Sequence, residues 1–323
     1  CKNSTKRNEI RDMKILVTGA AGFLGSHLCD SLLDGGHEVV GVDNFFRGKV
    51  SNLPTHENFT FKELDLVYSE PIKEFMLEHQ FDVVVHYAAI NGTRYFYDIP
   101  FKVCNHNILM TQNVLNACTP SVTKVVYASS SEIYGPSPIV PTEETEPMIL
   151  HPSANRDSYA SSKGMGEFLV RLWADEKRKE YLIVRPFNTY GPRMATGGYG
   201  QVIPEFIERI KSDEDFYLYG DGNQTRSFCY VTDHANIVTD LIRHTSDEIV
   251  NVGFDEEITI HDLAMVIHQI MDKEFKVEYK PAWSNDTKWR KPSLSKLKSC
   301  IGYENFVCLE DGINKMLKYG DRN

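Results

Sequence analysis

One short segment, Met13–Gly25 (MKILVTGAAGFLG), constrains this chain more than any other. Ile15, Leu16 and Val17 read as a buried strand. Gly19, Gly22 and Gly25 follow at the spacing G-x-x-G-x-x-G, and Ser26–Leu33 reads as the helix they open. Glycine lets such a turn bend tightly, lets its backbone approach a diphosphate, and lets the helix pack on the strand. The helix start adds free N–H groups and positive potential. A second apolar strand, Glu38–Val42, ends at Asp43. An acid there accepts hydrogen bonds from an adenosine ribose, which favours NAD over NADP. Gly19, Gly22, Phe23, Leu24, Gly25 and Asp43 are therefore candidate cofactor contacts.

The remaining pattern extends this start. Strand-like runs at Phe59–Glu63, Val83–His86, Lys124–Ala128 and Tyr181–Arg185 alternate with helical ones such as Ile108–Ala117 and Ser158–Lys177. Such alternation implies a doubly wound parallel sheet covered on both faces. After about Asn188 the chain turns to Gly- and Pro-rich loops with helical patterns at Pro204–Ile210 and Thr259–Met271. We expect a large domain of 13–187 plus about 228–250, and a smaller α/β domain of about 188–227 plus 251–323. Cys1–Asp12 is polar and reads as a flexible extension rather than a secretory leader. Net charge is −10, so nucleic acid and anionic membranes are unsuited as partners. No apolar run nears the roughly 18 residues that span a bilayer. The seven cysteines form no C-x-x-C pair, which fits reduced thiols and a cytoplasmic protein, and no metal cluster of usable spacing exists.

Tyr159 and Lys163 form Y-x-x-x-K on an expected helix, a spacing that puts both on one face. An ammonium beside a phenol lowers the phenol pKa, and the tyrosinate can then take a proton from a hydroxyl while a hydride leaves. Tyr127–Gly135 (YASSSEIYG) follows a strand, and its Ser130 completes a Ser/Tyr/Lys triad.

These motifs resemble the extended short-chain dehydrogenase/reductases, the NAD-dependent nucleotide-sugar epimerases, dehydratases and decarboxylases. The resemblance runs from residue 13 to about 320. It rests on TGAAGFLG, Asp65-Leu66, HYAAI at 86–90, YASSSEIYG, YASSK at 159–163, RPFNTYGPR at 185–193 and GDGNQTRSFCYV at 220–231. It implies a Rossmann-type sheet with a smaller substrate-binding domain, and tightly bound NAD. Asp43 and Asn44 would hold the adenosine ribose, and Asp65 and Leu66 would flank adenine. Ala88 and Ala89 would line the dinucleotide path, with Asn107 near its nicotinamide end. Asn188, Arg226 and Arg290 would bind the diphosphate of a nucleotide-sugar, as guanidinium forks suit paired charges. Tyr219 and Gln201, Val202 and Ile203 would shape the base pocket, with Arg193 also on the substrate side. A homodimer through two helices, Ile108–Ala117 and Ser158–Lys177, is expected. Met110-Thr111 stands where the family usually has Gly-Thr.

All members open with oxidation at C4 to a 4-keto sugar. A 4-epimerase needs no further acid, yet Glu132 follows Ser131 here. The 4,6-dehydratases carry Asp in the place of Ser131, and a serine hydroxyl is a poor general acid. UDP-glucuronate decarboxylases have Ser-Glu, an arginine at the position of Arg156, and segments similar to VDNFFRGK at 42–49. The resemblance is closest to them. Ser131 and Glu132 would manage the proton returning to C5, and Arg156 or Arg226 would orient the substrate. Asn155 replaces their usual proline. The loop Asn91–Tyr97 differs too, so Arg94 and Tyr95 are candidates for reading a sugar substituent. A 4- or 5-epimerase and a dehydratase remain alternatives. A non-catalytic NAD-sensing protein would usually lack the tyrosine or lysine, and this chain keeps both.

Overall fold

The computed structural model describes residues 12–195, 201–212, 215–281 and 289–320, so the expected N-terminal extension lies outside it but for Asp12. The first half alternates as expected: β1 (Lys14–Thr18), α1 (Phe23–Asp34), β2 (Glu38–Asp43), β3 (Phe59–Glu63), α2 (Ser69–Glu78), β4 (Val83–His86), the short α3 (Tyr95–Asp98), α4 (Pro100–Ala117), β5 (Lys124–Ala128), α5 (Asp157–Lys177) and β6 (Glu180–Pro186). A 3-10 turn, Ser131–Tyr134, follows β5. The second half carries β7 (Thr189–Tyr190), α6 (Val202–Lys211), β8 (Tyr217–Tyr219), β9 (Thr225–Ser227), β10 (Cys229–Tyr230), α7 (Val231–His244), β11 (Glu248–Val252), β12 (Glu257–Thr259), α8 (Ile260–Ile270), β13 (Glu278–Lys280), α9 (Ser295–Ile301) and α10 (Leu309–Gly320).

The main sheet runs β3-β2-β1-β4-β5-β6-β11, with every neighbouring pair parallel. Successive side chains face opposite layers. Ile15 and Val17 join Leu28 and Leu32 of α1 and Ile237 and Leu241 of α7 on one face. Leu16 joins Phe75 of α2 and Val114 of α4 on the other. Burial on both faces is what makes β1, β4 and β5 continuous apolar runs. The chain order reverses between β1 and β4, the switch point where open α/β sheets bind ligands.

A third core joins α6, α8 and α10 through Ile203, Phe206, Leu263, Ile267 and Ile313. It forms the smaller C-terminal α/β region. Two features depart from the expectation. α4 starts at Pro100, whose fixed φ suits a first helical turn, well before Ile108. Leu294 and Leu297, at and beside α9, pack into the core beneath the main sheet, although they follow residue 251. Met110, where glycine is usual in the family, fills the core between α2 and α4.

Candidate active site

The turn from β1 to α1 is shaped by its glycines. Gly19 has φ +72°, and a Cβ on it would lie 2.8 Å from the Ala88 amide nitrogen. A Cβ on Gly25 would lie 2.1 Å from the Gly19 carbonyl oxygen, so α1 sits directly on the turn. Asp43 accepts hydrogen bonds from the amides of Ala21 (3.0 Å) and Phe45 (2.8 Å). Burial pushes its carboxyl above the usual range, against the pull of these N–H groups. Asp65 accepts from the Val67 amide at 3.0 Å, and Asn113 braces the Leu66 carbonyl at 2.9 Å. Gly19, Gly25, Asp43, Asp65 and Leu66 border one cavity of about 1270 Å³, with Asn44, Ala88 and Ala89. A single small ligand usually occupies roughly 300–1,000 Å³, so the cavity has room for two. Ser129 Oγ, buried on its wall, has no partner within the protein. The close backbone turn, the half-buried acid and this orphaned hydroxyl fit an NAD molecule along the β1/β4 crevice.

Lys163 is buried, and its Nζ donates to the Ala128 carbonyl at 2.7 Å. The ammonium lies 4.9 Å from the Tyr127 ring centroid and 5.8 Å from that of Tyr159. Burial pulls its pKa down to about 7. The Tyr159 ring stacks on Phe96 with centroids 5.1 Å apart. Burial, and then the Glu132 charge, push its phenol above the usual tyrosine range, while Ser130 and Arg47 pull it down. The expected lowering of the phenol is thus reversed by desolvation, and the groups that pull it down are Ser130 and Arg47 rather than Lys163. Ser130 caps the 3-10 turn, its Oγ accepting from the Glu132 amide at 3.2 Å. Ser131 is buried beside it on the cavity wall.

Glu132 is the electrostatic centre of the other side. Burial favours its neutral form, but Arg290, Arg156 and Arg226 outweigh this and hold the carboxyl at about 2. Arg290 Nη1 bonds Oε1, and Arg156 Nη2 lies 3.5 Å from Oε2. Arg290, expected on the diphosphate, therefore sits on Glu132. Three guanidinium groups against one carboxylate leave this end of the cavity cationic.

Most of the other expected contacts border the same cavity: Phe23, Leu24, Asn188, Arg193, Gln201, Val202 and Tyr219. Arg193 also pairs with Asp30 of α1 at 2.7 Å. Four residues do not border it. Ile203 is buried in the third core. Arg94 is turned to its neighbour Asp98 at 3.0 Å, and Tyr95 packs on Phe46 with centroids 5.4 Å apart. Asn107 uses its amide to brace the backbone of Ile90 (2.7 and 3.2 Å) and Ser162 Oγ (3.1 Å). Phe96, Arg47 and Lys102 line the cavity instead. The basic residue in the loop after β2 was the signal available for Arg47. Among the described residues no cluster of His, Cys, Asp or Glu could hold a metal ion, and no helix is long and apolar enough to cross a membrane.

Comparison with known proteins shows the family. Residues 15–253 match the model of the NAD dependent epimerase/dehydratase family. A UDP-glucuronic acid decarboxylase 1 of Danio rerio is 34% identical over 96% of this chain and 73% of its own length. A UDP-N-acetyl-alpha-D-glucosaminuronate decarboxylase of Bacillus cytotoxicus is 34% identical over 95% of this chain and 97% of its own. A UDP-glucose 4-epimerase of Thermus thermophilus, solved in complex with NAD, superimposes with TM-score 0.85 at 30% identity, covering 95% of this chain and 98% of the other. With its glycine-rich turn, half-buried Asp43 and Tyr159/Lys163 pair, the chain belongs to the NAD dependent epimerase/dehydratase family, in which it is closely related to the UDP-glucuronic acid decarboxylases.

Proposed function

We propose that this protein decarboxylates UDP-glucuronate or a close UDP-uronate. The observation that carries the reading is the set of three arginines around ionised Glu132, beside Tyr159 and Lys163. Arg226 is left to the diphosphate, and the ring of a neutral hexose has no use for the charge that Arg156 and Arg290 add beyond Glu132. A C6 carboxylate does, because guanidinium forks match it and hold it near C4.

Bound NAD supplies the hydride acceptor and a positive ring that favours the phenolate. Tyr159 takes the C4 hydroxyl proton, and Lys163 shares it. Once C4 is a ketone, the C5–C6 bond breaks, its electron pair passes into the C4 enolate, and carbon dioxide leaves. C5 then takes a proton, and C4 regains its hydride and the Tyr159 proton. The net change is uronate plus a proton to pentose plus carbon dioxide. Paired with Arg290 and close to Arg156, Glu132 serves to align both guanidinium groups rather than to carry the C5 proton. Ser130 and Ser131 steady the C4 oxygen and the sugar. Arg226 and Asn188 would serve the diphosphate, and Tyr219, Gln201 and Val202 the base.

The likeness to NAD-bound 4-epimerase makes epimerisation the competing outcome. Incubation with NAD and UDP-glucuronate, read by mass spectrometry, separates the two. Loss of one carbon dioxide supports decarboxylation, and an isomer of unchanged mass overturns it. We further propose a homodimer, since Phe101 of α4 and Met165, Phe168 and Leu172 of α5 are large apolar side chains left exposed on adjacent helices.

A further inference from the structure

Arg47 lies within the segment VDNFFRGK at 42–49 but among neither the cofactor nor the substrate contacts expected from the motifs, and it spans the crevice between them. The loop after β2 lies against the glycine-rich turn. The Lys49 amide donates to the Ala21 carbonyl at 3.1 Å, Asn52 Nδ2 donates to it at 2.9 Å, and a Cβ on Gly48 would come 2.7 Å from that of Ala21. One residue earlier, Arg47 Nη1 donates to the Asn91 carbonyl, beyond the end of β4. Its backbone is thus anchored on the β1 side of the crevice and its guanidinium on the β4 side. Gly92 makes room for it: with φ +143°, a Cβ there would press on Arg47 Nη1 at 3.1 Å. The Tyr95 ring flanks the guanidinium at 5.9 Å and is itself packed on Phe46.

We propose that Arg47 is a strap that holds NAD in its crevice, its guanidinium set over the diphosphate and adjoining ribose of the dinucleotide. Arg47 lines the cavity together with Gly19, Gly22, Ala89 and Asn91, which form the two walls of the switch point. A planar cation is matched to phosphate oxygens. The nucleotide-sugar has its own cations, Arg156, Arg226 and Arg290, around Glu132. An enzyme that returns its hydride to the same sugar gains nothing from releasing NAD between turnovers, so retention serves the cycle whichever change the sugar undergoes.

The test is the rate at which NAD leaves the purified holoenzyme, followed after dilution into a trap of unlabelled NAD. Calorimetric titration with UDP runs in parallel. In Arg47→Ala, release is expected to accelerate by about tenfold or more, the loss of one charge-assisted hydrogen-bonding group, with UDP affinity unchanged. Arg47→Lys, which keeps charge but not the fork, falls between. Gly92→Ala, which displaces the strap from its far end, accelerates release as well. Unchanged release in Arg47→Ala overturns the proposal. So does weakened UDP binding with NAD release unaltered, which would place Arg47 on the nucleotide-sugar. Melting temperature checks that each variant folds.

Discussion

Burial lifts the Tyr159 phenol above its usual range and lowers the Lys163 ammonium to about 7. In the proposed reaction the base forms once this face of α5 has lost one proton. Turnover is therefore expected to fall as pH drops below about 7, with an acid limb that moves upward in Lys163→Met because the phenol must then ionise alone. A pH profile of kcat with an unmoved limb in that variant contradicts the assignment. Tyr159→Phe should keep its fold and NAD affinity and lose turnover by about a thousandfold, within the usual range for removing a general base. Glu132 titrates in the opposite sense. Its folded pKa of about 2 lies below the ordinary carboxyl value, so its stabilisation is complete above about 4.5 and is lost as pH falls toward 2. The full value is on the order of 3 kcal/mol, reduced by solvent at this partly exposed site. Urea unfolding of Glu132→Gln should show a deficit at neutral pH that shrinks near pH 3, and a deficit constant with pH would contradict the ion cluster. The triad was legible because helical spacing joins Tyr159 to Lys163. Arg47 was not, since no period links the loop after β2 to the end of β4.

Among the elements, α5 and the 3-10 turn must keep a fixed relation, because one carries Tyr159 and Lys163 and the other Ser131 and Glu132. A buried network sets it. Arg185 of β6 makes two bonds to Glu167 of α5 (2.8 and 2.7 Å) and one to the Tyr134 hydroxyl at 2.7 Å. Tyr134 donates onward to Asn251 of β11 at 2.7 Å. Glu167→Leu leaves the Arg185 charge buried with its main partner gone, a loss of about 3–5 kcal/mol in chemical denaturation. A loss under about 1 kcal/mol would mean that water reaches the pair. The strands from β1 to β6 were readable from their apolar runs, to within a residue at each end. The first turns of α4 were not. Lys102 and His106 face the cavity there and Asn107 braces Ile90, so function interrupts the apolar period that marks a helix.

In the molecule as a whole, the sheet order and the switch point follow from alternation of strands and helices, and the glycine-rich turn locates the cofactor end. Contacts between distant segments were not readable, as Leu297 under the main sheet shows. The same holds for which face of α5 stays open. Phe168→Glu with Leu172→Glu should convert a dimer to a monomer in light scattering without lowering the monomer's NAD affinity. A monomeric parent protein would contradict the dimer. Decarboxylation through a transient 4-keto sugar is best tested with UDP-glucuronate deuterated at C4. The expected product is a UDP-pentose that has lost carbon dioxide and kept the deuterium at C4, with no net NADH. Loss of the label to solvent, or recovery of an uncleaved isomer, would rule that route out.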